Sequence, residues 1–126
     1  MLEPRWKLIK SFSNALRGIA FLFNSQPNAR IELIIAGIVI ISGFLFRVSN
    51  AEWLIILLCI AMVLSLEGIN TSFEILADKL HPGYDKKIGK VKDVAAGAVL
   101  IASIVAAIIG FIIFVPHLMD IILNRI

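Results

Sequence analysis

Apolar and polar side chains along this chain recur with helical periodicity in four blocks separated by short polar breaks. In the first block, residues 5–24, apolar positions repeat every three or four residues and basic side chains lie on the opposite face. This pattern predicts an amphipathic helix in the membrane interface, with packing against the protein's own spans as a compatible alternative. Pro27 ends the block, and Ser25 or Asn28 is expected to cap the next helix.

The other three blocks are almost wholly apolar and predict membrane-spanning helices. The first two contain uncharged stretches shorter than the roughly 20 residues that cross a hydrocarbon core, so charged residues at their ends must enter its boundary. A tight connection between them is expected at Asn50. The predicted transmembrane helices cover about residues 29–48, 52–79 and 90–116.

Composition supports a membrane protein. With 60% hydrophobic residues among 126 and a mean hydropathy of +0.95, a soluble domain of this size could not bury its apolar surface. We therefore expect one all-α integral membrane domain over residues 1–126. The single cysteine, Cys59, cannot form an intrachain disulfide and is expected to be an ordinary apolar position.

Basic residues are concentrated on one side of this three-span arrangement. Ten of the twelve lie before the first span or between the second and third, and only Arg47 and Arg125 lie on the other side. The positive-inside rule therefore predicts an N-terminus in the cytoplasm and a C-terminus outside.

An acidic stripe begins where the second span leaves the hydrocarbon, on the predicted cytoplasmic side. Glu67, Asn70, Glu74 and Asp78 are spaced at i, i+3, i+7 and i+11 and share one face of a helix. Carboxylates are costly to desolvate at such a place, so by default they indicate function. Their oxygens also suit Mg²⁺ that carries nucleotide phosphates.

The stripe has the groups that phosphoryl transfer to an alcohol requires. Such a reaction needs a base near the lipid, a cation site nearer water and positive charge on the phosphates. Glu67 and Glu74 suit the first two. The positive charge can come from the lysines that enter the third span, which are Lys86, Lys87, Lys90 and Lys92. On residues alone, a substrate-binding or channel role and a structural assembly role stay open, with Lys92 and Asp93 as a surface ion pair.

Common nucleotide and metal motifs do not occur in the sequence. The glycines from Gly83 to Gly89 are one residue too far apart for a P-loop, and Val91 stands where Ser or Thr is needed. With two histidines and one cysteine, a His/Cys metal site is not expected.

Small residues recur at every fourth position in the third span, at Ala98, Ala102, Ala106 and Gly110. Such a row permits close approach of another helix and favours self-association. The alternative is that Ala and Gly are simply common in membrane helices.

These residues resemble the prokaryotic diacylglycerol kinase family, which includes the undecaprenol kinases. The resemblance rests on the pattern E-x-x-N-[ST]-x-x-E-x-x-x-D from Glu67 to Asp78, and on K-D-x-x-x-G-A-V-L from Lys92. Val91 stands where the family has an alanine before that lysine. The resemblance covers about residues 5–116.

The resemblance implies a membrane lipid kinase that transfers the γ-phosphoryl group of MgATP to the hydroxyl of diacylglycerol or of undecaprenol. It implies a homotrimer with shared active sites, in which each chain has an N-terminal amphipathic surface helix and three transmembrane helices in the bacterial inner membrane. Mg²⁺ is the implied cofactor, and ATP, a lipid alcohol and other copies of this chain are the implied partners. No nucleic acid is expected.

The resemblance also implies roles for particular residues. Glu67 matches the general base, Glu74 matches a ligand of the metal on ATP, and Asn70 and Asp78 match supporting positions. The implied nucleotide-binding residues come from three of the four blocks and from the breaks between blocks, and they are Lys7, Gln26, Glu74, Gly83, Tyr84, Asp85, Lys92 and Asp93.

A further departure from the family pattern concerns the metal site. Gln26 stands where the family commonly has a glutamate that shares the metal with Glu74. An amide oxygen can ligate Mg²⁺ but brings no negative charge, so weaker metal binding is expected. Glu32, about two turns further on, is the alternative second ligand.

Overall fold

The structure is a computed structural model, and it describes residues 3–124 as four α-helices joined by short connections. No strand occurs within this described range. The helices are Glu3–Ser25 (α1), Pro27–Leu45 (α2), Asn50–Leu80 (α3) and Lys86–Leu123 (α4). Three of them, α2, α3 and α4, are long and apolar enough to cross a membrane. The predicted all-α fold with three such helices is therefore confirmed.

The break between α1 and α2 lies at Gln26, whose φ of −110° and ψ of 112° are extended. Pro27 occupies the first turn of α2, where its missing N–H costs nothing. The prediction that Ser25 or Asn28 caps α2 is wrong. The Ser25 hydroxyl instead donates to the Phe21 carbonyl at 2.7 Å inside α1, and Asn28 already lies within α2.

A compact turn connects α2 to α3. Arg47 has a left-handed φ of 54°, and the Val48 N–H donates to the Gly43 carbonyl at 3.1 Å, which is the pattern of a Schellman motif. Ser49 then caps α3 through a reciprocal capping box with Glu52. The tight connection therefore ends one residue before Asn50, which is the first residue of α3.

The fourth helix continues beyond residue 116, where the sequence was expected to end it. Pro116 lies inside α4, which ends at Leu123. A proline removes one backbone hydrogen bond, but apolar surroundings give the chain no better partner for its other polar groups, so the helix persists.

The central helix of the fold is α3, which packs most extensively on α4 and then on α2. A small apolar cluster of Val48, Ile56 and Ile113 joins these helices near the α2–α3 turn. Most large apolar side chains elsewhere on α2, α3 and α4 are exposed, as expected for helices that meet lipid or other helices. The other end of α3 carries the acidic stripe.

Candidate active site

The acidic stripe forms a gradient from buried to exposed along α3. Glu67 is 4% exposed and Asn70 is 6% exposed, whereas Glu74 is half-buried. Asp78, one turn further on, has a side chain that is 67% exposed. Because α3 is continuous from Asn50 to Leu80, the four residues share one face, and that face runs from the interior towards water.

Glu67 is the most buried carboxylate of the described chain and lies in an acidic neighbourhood. Its charge interacts with that of Glu32 on α2 and with that of Glu74, which lies about two turns further along α3. Three acidic side chains in this order make a region of negative potential at the α2–α3 contact. Such a region is stable only where protons, cations or hydrogen-bond donors can reach it.

Asn70 connects the buried and the exposed halves of the stripe. Its side-chain nitrogen donates to Glu74 Oε1 at 3.4 Å, which orients that carboxylate. Its side-chain oxygen is buried and has no hydrogen-bond partner among residues 3–124. The amide can therefore still accept a hydrogen bond from a ligand.

Lys92 on α4 closes the site on the water side. Its ammonium group donates to Asp78 Oδ1 at 2.5 Å, and its charge also interacts with that of Glu74. The alternative of a Lys92–Asp93 surface pair is wrong, because Lys92 bonds across to α3 instead. The structure thus brings together Glu67, Asn70, Glu74, Asp78 and Lys92.

The connection between α3 and α4 contains three of the predicted nucleotide-binding residues. Tyr84 is 92% exposed, and the carbonyl oxygen of Gly83 lies 3.0 Å from His81 Nδ1. Asp85 is the N-cap of α4, where its Oδ1 accepts from the N–H groups of Lys87 and Ile88 at 2.9 Å each. These bonds, that from Ile88 foremost, hold the pKa of the Asp85 carboxyl below its ordinary value.

The remaining predicted residues do not bond to the stripe within one chain. Lys7 is exposed on α1, Asp93 is exposed on α4, and Gln26 lies at the α1–α2 break with no side-chain cap bond. The end of α1 does approach the site, since Leu22 lies 3.6 Å from where a Cβ on Gly68 would stand. Among residues 3–124, no three His, Cys, Asp or Glu side chains converge to hold a metal.

The sequence patterns do not identify two of the residues near Glu67 as its neighbours in the site. Glu32 is expected at the boundary of the first span and as an alternative metal ligand; the structure adds that its charge interacts with that of Glu67 and that one of its oxygens is buried without a partner in the described chain. Thr71 is 3% exposed, and its hydroxyl also lacks a hydrogen-bond partner there. Thr71 follows Glu67 by four residues, so the spacing alone could have drawn attention to it.

The fold and the site together define a small helical membrane protein with a buried carboxylate beside a more exposed acidic and basic cluster. A profile of the family described as prokaryotic diacylglycerol kinase matches residues 13–114. The chain therefore belongs to that family. It is a bacterial membrane protein and a lipid kinase, as the sequence predicted.

Individual relatives agree with this assignment. The chain is 39% identical over 117 residues to an undecaprenol kinase of Bacillus subtilis (strain 168), across 89% of this chain and 91% of that protein. It is 32% identical over 114 residues to a diacylglycerol kinase of Synechocystis sp., across 90% of this chain but 65% of that longer protein. A diacylglycerol kinase of Escherichia coli (strain K12) is 23% identical over 111 residues.

Proposed function

We propose that the chain transfers the γ-phosphoryl group of ATP to the hydroxyl of a membrane lipid at the acidic face of α3. The observation that carries this proposal is the burial of Glu67, a carboxylate 4% exposed at the apolar end of a stripe whose other end is in water. A lipid hydroxyl can meet the buried end, and a nucleotide can meet the exposed end. The reaction takes place between them.

Glu67 is the general base of this proposal. It accepts the proton of the lipid hydroxyl while the oxygen attacks the γ-phosphorus, and ADP leaves with the electron pair of the broken bond. Lys92 interacts with both Asp78 and Glu74 in the free protein. When the nucleotide binds, its ammonium group donates to the phosphates and its hydrogen bond to Asp78 weakens. The protein contributes position and charge and forms no covalent intermediate.

Glu74 is the metal-binding carboxylate of this proposal. The donor set fits Mg²⁺ bound to ATP, because that ion keeps its waters and phosphate oxygens and needs only one or two carboxylates rather than a protein cage. Asn70 orients Glu74 and offers its own oxygen, which has no hydrogen-bond partner in the part of the chain that the structure describes. Mg²⁺, when bound, would neutralise charge that develops on the phosphates. Gln26 is the proposed second ligand, and its neutral amide would bind the ion weakly.

A homotrimer with shared sites accounts for the residues that stay apart within one chain. We propose that Lys7, Gln26, Asp93 and the segment Gly83–Asp85 complete the nucleotide site in the assembly. Ala106 and Gly110 on α4 lie beside a groove between α2, α3 and α4, where small residues allow helices to approach. In this arrangement α1 lies on the cytoplasmic surface, with the N-terminus inside and the C-terminus outside the cell.

Undecaprenol is the acceptor that we place first, and diacylglycerol is the second candidate. The support is the greater identity to the relative named undecaprenol kinase, 39% against 32% for the Synechocystis diacylglycerol kinase. Both lipids present a hydroxyl at the interface, where Glu67 can reach it.

An assay of the purified protein in detergent tests both the activity and the acceptor. The protein receives γ-labelled ATP and Mg²⁺ with pure undecaprenol, pure diacylglycerol or no lipid. We expect label in the organic phase with a lipid and none without, and faster transfer to undecaprenol. The absence of label with either lipid, together with no nucleotide binding, would instead support a transporter or an assembly subunit.

A further inference from the structure

Thr71 carries a buried hydroxyl on the same helix as Glu67. Thr71 is 3% exposed, and its Oγ has no hydrogen-bond partner among residues 3–124. A buried hydroxyl without a partner is destabilising, and native proteins retain few of them. The hydroxyl at this position therefore costs stability in the free protein and calls for a function.

Serine hydroxyls elsewhere in the helices of this chain show the hydrogen bond that is open to a helical hydroxyl. Ser25, Ser42 and Ser72 each donate to the carbonyl four residues earlier, at 2.7, 2.8 and 3.0 Å. Serine and threonine in helices commonly satisfy themselves in this way. For Thr71 the corresponding carbonyl belongs to Glu67, and that bond is not made. The hydroxyl is therefore left free to bind a ligand.

The surroundings of Thr71 indicate the chemical class of the ligand that its hydroxyl binds. It lies one turn beyond Glu67 on the same face of α3, and both side chains are buried, at 3% and 4% exposed. The charges of Glu32 and Glu67 interact, and Glu32 is also one of the residues that line a largely apolar groove of about 450 Å³ between α2, α3 and α4. Glu32 therefore links this groove with the neighbourhood of Glu67, and a ligand that is apolar apart from a small hydrogen-bonding end fits the two together.

We infer that Thr71 binds the acceptor, holding the hydroxyl oxygen of the lipid alcohol beside Glu67; this inference rests on the function proposed above. The Thr71 hydroxyl donates to one lone pair of the lipid oxygen, and the lipid hydroxyl donates to the Glu67 carboxylate. As the lipid O–H bond breaks, the proton passes to Glu67 and the oxygen bonds to the γ-phosphorus. The bond to ADP breaks with its electron pair leaving on ADP, and Thr71 ends unchanged.

Three variants test this role. Thr71→Val keeps the shape of the side chain and removes the hydroxyl, Thr71→Ser keeps the hydroxyl, and Ser72→Ala removes the neighbouring hydroxyl that is exposed and bonded to Gly68. For each variant, kcat and KM are measured separately for lipid and for ATP, and the thermal midpoint and oligomeric state are measured in detergent.

Thr71→Val is expected to lower kcat/KM for the lipid by about tenfold or more while KM for ATP stays within about twofold. Its thermal midpoint is expected to equal or exceed that of the wild type, because an unpaired buried hydroxyl has been removed. Thr71→Ser is expected to recover most of the activity, and Ser72→Ala to stay within about twofold in every measurement.

Several outcomes would overturn the inference. Wild-type kinetics in Thr71→Val would show that the hydroxyl has no role in the reaction. A lower midpoint, failure to fold or a dissociated assembly in that variant would show that the hydroxyl is bonded within the protein. These results leave the proposed function intact, whereas a wild-type protein that phosphorylates neither lipid rejects the function and this inference together.

Discussion

His117 on α4 lies against both carboxylate oxygens of Glu52 on α3, with its Nε2 at 3.2 Å from Oε1 and 3.1 Å from Oε2. Both side chains are 28% exposed. Glu52 also accepts from the Ser49 backbone N–H at 2.8 Å, so one carboxylate joins the α2–α3 turn, the start of α3 and the end of α4. The pair lies about 22 Å along α3 from Glu67, far from the proposed chemistry.

This pair is expected to stabilise the packing of α3 on α4 without affecting catalysis. His117→Ala should lower the thermal midpoint and leave kcat unchanged at a temperature where both proteins are folded. In a Glu52→Gln background, which keeps the capping box, the same substitution should cost less. Unfolding measurements on the four proteins of this cycle give the coupling, and an equal cost in both backgrounds would show that the pair contributes nothing.

A close contact between Gly43 and Trp53 makes a second prediction. A Cβ added at Gly43 would lie 2.6 Å from Trp53 Cη2 and 2.8 Å from Cζ2, so Gly43→Ala must displace the indole ring. We expect a destabilisation of about 1–3 kcal/mol, in the range of overpacked cores. Denaturant unfolding in a Trp6→Phe background measures this, since Trp53 is then the single fluorescent tryptophan.

Gly37→Ala is the matched control for that substitution, because a Cβ there meets nothing within 4 Å on the same helix. It should be neutral or slightly stabilising, since alanine favours a helix more than glycine does. Equal effects of the two substitutions would contradict the close contact at Trp53.

The cap of α4 predicts a pH dependence. The pKa of Asp85 is lowered in the folded protein, so the stability it contributes is present above the unfolded value, near 3.8, and is lost as the pH falls through the folded value. Asp85→Ala should therefore lower the thermal midpoint at neutral pH and do so progressively less in acid. Asp85→Asn, whose side-chain oxygen still caps, should remain close to the wild type at neutral pH. A gap between Asp85→Ala and the wild type that does not change with pH would contradict the cap.

Local features of the fold could be read from the sequence. The break at Pro27 follows from backbone chemistry, and the shared face of Glu67, Asn70, Glu74 and Asp78 follows from helical periodicity. The residues of the stripe are neighbours along one helix, so no knowledge of packing was needed. The same applies to the capping box at Ser49 and Glu52, because its S-x-x-E spacing is local to the start of one helix.

Features that depend on packing between helices could not be read in this way. Lys92 bonds to Asp78 on another helix rather than to its neighbour Asp93, and His117 meets Glu52 across 65 positions of the sequence. Which hydroxyl is buried is also a tertiary property: Thr71 and Ser72 are adjacent and chemically alike, yet one is enclosed and the other exposed. The sequence favours neither of them as the buried hydroxyl, because burial depends on how α2 and α4 pack on α3.

The metal site can be tested through the magnesium requirement. Glu74→Ala is expected to raise the Mg²⁺ concentration for half-maximal activity by about tenfold or more, because it removes the proposed protein ligand. Glu52→Gln on the same helix, remote from the site, serves as the control and should keep the wild-type titration. A Glu74→Ala protein with an unchanged Mg²⁺ titration would reject Glu74 as the ligand.

The central claim is that Glu67 is the base that activates the lipid hydroxyl. Glu67→Gln keeps the size of the side chain and removes its ability to accept a proton, so the most direct measurement is the initial rate of label transfer from ATP to lipid in this variant, with ATP binding measured on the same preparation. We expect the rate to fall by about 100-fold or more while ATP affinity stays within about twofold. A Glu67→Gln protein that transfers label at the wild-type rate would contradict the account.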